Sequence, residues 1–157
     1  MKKLYVVVDT ETTGSKPLEG DRILEIAAIP VYGGKIMHNL AFQALVNPLV
    51  VIPAQITGIH GLRNEDVSEE PPMAEVFPKF KDYIGTSVLV GHNIVNDMTF
   101  FDIASKETGL MPLSNNYIDT IELAHEAFED GPFNLYGLAR YLGGLSEVGK
   151  FVKKWRG

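Results

Sequence analysis

Short apolar runs separated by turn residues fill the first third of the chain, a pattern typical of β-strands. The runs are LYVVVD, RILEIAAIPVY and IMHNLAFQALVNP. Gly33 and Gly34 lie between the second run and the third, where a glycine pair favours a tight hairpin turn. We therefore predict an opening strand followed by a hairpin of two more strands.

The spacing of the apolar residues becomes helical after Met73. Five of them fall on one face of a helix: Val76, Phe77, Phe80, Tyr83 and Ile84. The run SVLVGHN at residues 87–93 then indicates a strand that is buried on both faces. Three further helices are predicted in DMTFFDIASKETG, IELAHEAF and NLYGLARYLGG, with Asp119 or Thr120 capping the second. Strands that come first and then alternate with helices favour a mixed sheet flanked by helices.

Length and composition fit a single globular domain over residues 1–157. The chain has no cysteine, which removes a disulfide framework and a thiol nucleophile and is compatible with the cytoplasm. The apolar run at residues 4–8 is too short for a signal peptide or a membrane span. The net charge of -6 disfavours binding of nucleic acid by bulk electrostatics. We therefore expect a cytoplasmic protein to which a partner delivers any nucleic-acid substrate.

Two carboxylates stand at the end of the first strand, in the stretch VVVDTETTG. Asp9 and Glu11 are two positions apart, so their side chains point to the same face of the strand. Neighbouring carboxylates repel each other unless a basic group or a metal ion lies between them, and oxygen ligands suit magnesium or manganese. The alternatives are a strand that runs into a solvated turn, or a phosphatase of the haloacid dehalogenase class with Asp9 as its nucleophile.

A second group of polar residues follows the buried strand at residues 87–93. His92, Asn93 and Asp97 come where open α/β sheets build their sites, at the carboxyl ends of strands. Asp97 could therefore join the carboxylates of the first strand. Its alternative role is to cap the helix that begins there.

Five motifs in series resemble those of the DnaQ-like, or DEDD, family of 3′ to 5′ exonucleases. They are DTETTG, ITGIHGL, LVGHNIVNDMTF, YIDTIELA and NLYGLARYLGG, and together they cover about residues 4–144. Motifs that recur in the same order are more specific than any one of them alone. The similarity is greatest to bacterial proofreading domains, of the polymerase III epsilon and PolC types. The resemblance implies an α/β ribonuclease H-like fold, with a five-stranded mixed sheet and helices on both faces.

The resemblance also implies a mechanism with two divalent ions, Mg²⁺ or Mn²⁺. By the family pattern Asp9 bridges both ions, Glu11 contacts one of them, and Asp97 supplies the acid of the second motif. The reaction releases nucleoside 5′-monophosphates from a 3′ end of single-stranded DNA, with RNA as a possible substrate. A DNA polymerase subunit is the implied partner.

Four further residues are implied to contact the substrate. The backbone of Thr10 and Thr12 would lie along the terminal nucleotide, His60 would touch that nucleotide, and Asn93 would position the phosphate or hold its loop. For His60 a second interpretation stands beside this one, in which the ring is hydrogen-bonded within its own loop. Asp119 matches a helix-opening position of the family and is interpreted as a cap.

The chain departs from the family at its last motif, H-x-x-x-x-D or Y-x-x-x-D on a final helix, which carries a fourth acid and a proton acceptor. No histidine follows His125 in the sequence and no aspartate follows Asp130. The last helix is therefore expected to be missing or divergent, and the activity to be weak. Three explanations are open: a truncated or frame-altered gene, a natural variant with a degraded site, or a partner that supplies the missing groups. We prefer the first, and reading the downstream DNA in three frames tests it.

Two other functions compete with the nuclease. A non-catalytic module on the same fold would bind nucleic acid or a polymerase without needing metal. A dehalogenase-type phosphatase would form an aspartyl-phosphate at Asp9 and would not need Asp97, but the sequence shows no downstream lysine motif for it.

Overall fold

The computed structural model describes residues 3–143, so the divergent stretch after residue 143 and its basic end lie outside the described residues. A mixed β-sheet forms the centre of the fold. Its strands are β1 (Leu4–Thr12), β2 (Ile23–Tyr32), β3 (Lys35–Ile36), β4 (Phe42–Leu45), β5 (Val88–Gly91) and β6 (Tyr117–Asp119). β2 pairs antiparallel with β1, whereas β1, β5 and β6 run parallel to one another. The predicted α/β architecture with a mixed sheet is confirmed.

Six strands occupy five positions across this sheet. The order is β3-β2-β1-β5-β6, and β4 pairs with the same edge of β2 as β3 does. A short 3-10 helix, His38–Leu40, separates β3 from β4. The single strand predicted third is therefore divided into β3 and β4, which lie along the same edge of the sheet with the 3-10 helix between them.

From residue 54 onward, helices alternate with the last two strands. They are α1 (Ala54–His60), α2 (Asn64–Val67), α3 (Met73–Ile84), α4 (Ile94–Thr108), α5 (Thr120–Ala127) and α6 (Leu135–Tyr141). The four longer patterns were predicted from the sequence, whereas α1 and α2 were not. Among residues 3–143, no helix has the length and apolar character needed to cross a bilayer.

The main core lies on one face of the sheet, beneath α3 and α4. Val6 and Val8 of β1 point into it, and phenylalanines of both helices fill it: Phe77, Phe80, Phe100 and Phe101. The rings of Phe80 and Phe101 lie 4.8 Å apart. Because side chains alternate along a strand, Val7 and Asp9 of β1 fall on the opposite face, where both are exposed.

β1 ends where the chain makes a close contact at Gly14. A Cβ atom at this position would come within 2.3 Å of a carboxylate oxygen of Asp21. The same carboxylate accepts a hydrogen bond from the hydroxyl of Thr13, at 3.2 Å. A side chain at residue 14 would therefore displace the carboxylate of Asp21 from this hydrogen bond.

Candidate active site

Strand β1 presents its two acids on the face opposite the main core. Asp9 is exposed and Glu11 is partly buried. In the antiparallel register Glu11 lies directly across from Glu25 of β2, and Asp9 lies across from Ala27. Cross-strand partners project from the same face, so Glu25 shares the sheet face of Asp9 and Glu11.

The sequence analysis missed Glu25 as a member of this group. Its Oε1 accepts a hydrogen bond from Nε2 of Gln43, at 2.5 Å. Glu25 is the one charged residue in the apolar run of β2, and this was the available signal. The hairpin register was needed to place it beside Glu11.

The surroundings of Asp9 raise the pKa of its carboxyl above the ordinary value. Burial by nearby protein atoms is the largest cause, even though the residue as a whole is exposed, and the charge of Glu25 adds to it. A backbone hydrogen bond at Thr10 and the nearby His92 act in the opposite direction. The ionised form of Asp9 is thus disfavoured, first by burial and then by the like charge of Glu25.

Asp97 approaches β1 from the first turn of α4. The hydroxyl of Thr10 donates a hydrogen bond to its Oδ1 over 2.6 Å, and only 6% of the residue is exposed. Burial raises the pKa of Asp97 to about 6; the Thr10 bond lowers it, and the charge of Asp9 raises it. Asn93 occupies the N-cap position of α4, so the capping role considered for Asp97 is wrong.

The donor set at this site consists of carboxylates, which suits a hard divalent cation. Asp9 lies near enough to Asp97 for its charge to raise the pKa of the Asp97 carboxyl, after burial as the larger cause. Within residues 3–143, no three or more His, Cys, Asp or Glu side chains converge as a ready cage for a metal ion. The arrangement fits magnesium, which is commonly held by one or two carboxylates while waters and substrate phosphates complete its shell.

The turn between β5 and α4 carries the predicted residue Asn93. Its backbone is left-handed, with φ of 58°, and its side chain is exposed. Its N–H and that of Ile94 point to the carboxylate of Asp119, at 3.0 and 3.1 Å. The predicted cap at Asp119 is confirmed on α5, where it accepts the Ile121 N–H, but its second task at α4 was missed.

The predicted substrate contacts at the other positions stay predictions. His60 ends α1, is 6% exposed, and accepts the N–H of Leu62 at its Nδ1, as the loop-bound interpretation expects. The hydroxyl of Thr12 donates to the carbonyl of Gly14, at 2.7 Å. Side chains at both positions thus stabilise local turns.

A family described as "Exonuclease" matches residues 6–148. A DNA polymerase III PolC-type of Bacillus cereus is 36% identical over 129 residues, which are 82% of this chain and 9% of that protein. A DNA polymerase III subunit epsilon-like protein of Rhodobacter capsulatus is 37% identical over 127 residues, 81% of this chain and 18% of that one. The chain therefore spans less than a fifth of the length of these relatives.

Solved structures share the fold. Exonuclease X in complex with 5′ overhanging duplex DNA superposes with a TM-score of 0.70 at 26% identity, over 88% of this chain and 73% of that one. E. coli Exonuclease I in complex with a 5cy-dT13 oligonucleotide has a TM-score of 0.79 at 16% identity, over 91% and 36%. The second likeness concerns the fold alone.

Proposed function

Because this chain belongs to the exonuclease family whose pattern spans residues 6–148, we propose that it is a metal-dependent 3′ to 5′ exonuclease acting on single-stranded DNA. Its products would be nucleoside 5′-monophosphates. The observation that supports this best is the 2.6 Å hydrogen bond from Thr10 to Asp97. It joins the acid of α4 to the strand that carries Asp9 and Glu11.

In this proposal Asp9, Glu11 and Asp97 hold two Mg²⁺ or Mn²⁺ ions. Such ions supply an activated water and stabilise the leaving 3′ oxygen. The chain's own part is to present the carboxylates. Asp9 is exposed on one face of the sheet, and the hydrogen bond from Thr10 fixes the orientation of Asp97. The like charges that raise the pKa of Asp9 and Asp97 are offset when a cation binds, so binding releases any proton they carry.

Substrate contacts complete the proposal. The backbone of Thr10 and Thr12 runs along the terminal nucleotide, His60 lies beside it, and Asn93 faces the phosphate. The exposed position of Asn93 at the end of β5 supports its part. RNA remains a second substrate to test, because the groups that would sense a 2′-hydroxyl are not identified.

We propose that the catalytic rate of these 157 residues is low when no partner is present. After Asp130, where the family carries its last motif, their sequence offers neither the H-x-x-x-x-D nor the Y-x-x-x-D pattern. Proton acceptors and metal ligands each contribute orders of magnitude to a rate. A cytoplasmic DNA polymerase subunit is the proposed partner, supported by the similarity to PolC-type and epsilon-like proteins.

The proposal is tested by incubating the chain with a 5′-labelled single-stranded oligonucleotide and Mn²⁺ or Mg²⁺. We expect slow release of mononucleotides from the 3′ end, lost in D9N and D97N and on addition of a chelator. D102N is the matched control, since Asp102 lies exposed on the same helix as Asp97. Release that persists undiminished in D9N would contradict the assigned site.

A non-catalytic module is the second candidate, favoured by the missing last motif. It predicts binding of an oligonucleotide or a polymerase that does not depend on metal and is unchanged in D9N. The phosphatase is not favoured, because Asp97 contacts the strand of Asp9 through Thr10, a contact for which that mechanism has no use.

A further inference from the structure

Two turns meet at the carboxyl ends of the parallel strands β5 and β6. Gly91 and Asp119 are paired in register at these ends. The chain then enters α4 through His92 and Asn93, and enters α5 at Thr120. The two helix starts are therefore neighbours, and hydrogen bonds between the turns can fix one against the other.

One carboxylate serves both helix starts. Oδ1 of Asp119 accepts the N–H of Asn93 at 3.0 Å and that of Ile121 at 2.9 Å. Oδ2 accepts the N–H of Ile94 at 3.1 Å. Asp119 is only 6% exposed. A buried carboxylate with several amide donors is well satisfied, and its charge also suits the positive end of a helix.

Thr120 adds two side-chain contacts between the same turns. Its hydroxyl donates to the carbonyl of Gly91, at 3.2 Å. The hydroxyl oxygen also lies 2.9 Å from Nδ1 of His92 in a second hydrogen bond. Every residue from Gly91 to Ile94 is thus bonded to Asp119 or Thr120.

Helix α4 is consequently fixed at its beginning and again one turn later. Asp119 bonds the amide of Ile94, and Asp97, three residues on, receives the hydroxyl of Thr10. Ile94 and Asp97 lie within one helical turn, whose backbone hydrogen bonds keep its residues at fixed relative positions. The position of Ile94 therefore determines the position of Asp97.

We propose that Asp119 and Thr120 are positioning residues, which together set the first turn of α4 and thereby bring Asp97 to β1. The inference rests on the proposed function in so far as Asp97 is a metal ligand. Neither positioning residue contacts the metal in this proposal. They act through the backbone of the β5–α4 turn.

A carboxylate is required at residue 119 because both of its oxygens accept. Asparagine has nearly the same shape but offers one oxygen, so its amide group would face a backbone N–H donor. D119N therefore perturbs the hydrogen bonds without creating a cavity. V67A is the matched control for lost stability, since Val67 is buried in the separate cluster of Leu24 and Ile52.

The experiment measures Mn²⁺ affinity and the ¹³C signal of the Asp97 carboxyl in wild type, D119N, V67A and T10V. We expect D119N to bind Mn²⁺ about 10- to 100-fold more weakly, the loss typical of residues that orient metal ligands. Its Asp97 signal should move toward that of T10V, which lacks the hydroxyl. V67A should match the wild type in both measurements.

The proposal is overturned if folded D119N keeps the Mn²⁺ affinity and the Asp97 signal of the wild type. It is equally overturned if V67A shows the same changes as D119N, because loss of stability would then explain them. If D119N does not fold, T120V is judged by the same two measurements. If the wild type binds no Mn²⁺, the proposed function fails, and the Asp97 signal alone decides the positioning role.

Discussion

At the scale of single residues, Asp97 is held between opposing influences. Burial and the charge of Asp9 favour its protonated form, while the hydroxyl of Thr10 favours the carboxylate. The net result is a pKa of about 6, well above the ordinary aspartate value of 3.8. Ionisation of Asp97 therefore lowers the free energy of unfolding, which is the cost of holding an acid beside β1.

This cost predicts a pH dependence for D97N without metal. Between pH 3.8 and about 6 the folded state binds more protons at Asp97 than the unfolded state, so this residue's contribution to stability falls as the pH rises. A shift of about two pKa units corresponds to about 3 kcal/mol. D97N lacks this penalty. The difference between its free energy of unfolding and that of the wild type should therefore shift by about 2–3 kcal/mol in favour of D97N between pH 4 and pH 8. Urea unfolding with a chelator present measures it, and a constant difference would contradict the prediction.

T10V should raise the pKa of Asp97 further above about 6. The hydroxyl of Thr10 stabilises the ionised carboxylate, and valine replaces it with a group of similar shape that cannot donate. A ¹³C-detected titration of the Asp97 carboxyl measures the change. T12V is the control, since the Thr12 hydroxyl donates to Gly14 and not to Asp97. An unchanged pKa in T10V would mean that the hydrogen bond is absent in solution.

Some site residues could be predicted from sequence and others could not. That Asp9 and Glu11 share a face follows from the alternation of side chains along a strand. That Asp97 lies near them was predicted because sites form at the carboxyl ends of parallel strands, and because the motifs resemble those of the family. Glu25 and the second task of Asp119 depend on pairing register and on contacts between distant turns. Local patterns do not carry that information.

At the scale of elements, the start of α4 depends on a backbone conformation that few residues adopt readily. Asn93 has φ of 58° and ψ of 43° at the N-cap. N93A should lower the free energy of unfolding by about 1 kcal/mol, because a Cβ strains this region and asparagine tolerates it better than alanine. N93G should stay within about 0.5 kcal/mol of the wild type, since glycine adopts the conformation freely.

Urea unfolding of both variants tests this prediction. N96A is the control, because Asn96 lies inside the first turn of α4 in ordinary helical geometry. Equal stability of N93A and N93G would show that the left-handed backbone carries no strain.

The longer elements followed from their periodicity. In α3 the predicted face is buried at Val76, Phe77, Phe80 and Ile84, with Tyr83 at its margin. α2 has four residues, too few for a period to be recognised, and the seven-residue α1 lies between Pro53 and Gly61 with Gly58 inside it. α6 is as short as α1, but it could be recognised from Asn134 at its start and from the glycine after its end. The 3-10 helix that divides β3 from β4 likewise had no pattern of its own.

At the scale of the whole molecule, net charge limits how strongly the chain could bind the proposed DNA substrate. The chain has 14 basic and 20 acidic residues. We expect weak binding to a duplex oligonucleotide, with a slope of log K against log salt shallower than about -3, equivalent to about three phosphate contacts. Fluorescence anisotropy between low and moderate salt measures it. A steep slope would show capture from solution and would remove the need for a partner that delivers the strand.

The interruption of the β3–β4 edge has a consequence for solubility. The sheet ends in strands of two and four residues on one side and in the three-residue β6 on the other. A long row of unpaired backbone groups would be a template on which another chain could add a strand, as in fibril growth. Among residues 3–143, neither border offers more than four consecutive strand residues, so the native sheet is protected from edge-to-edge assembly.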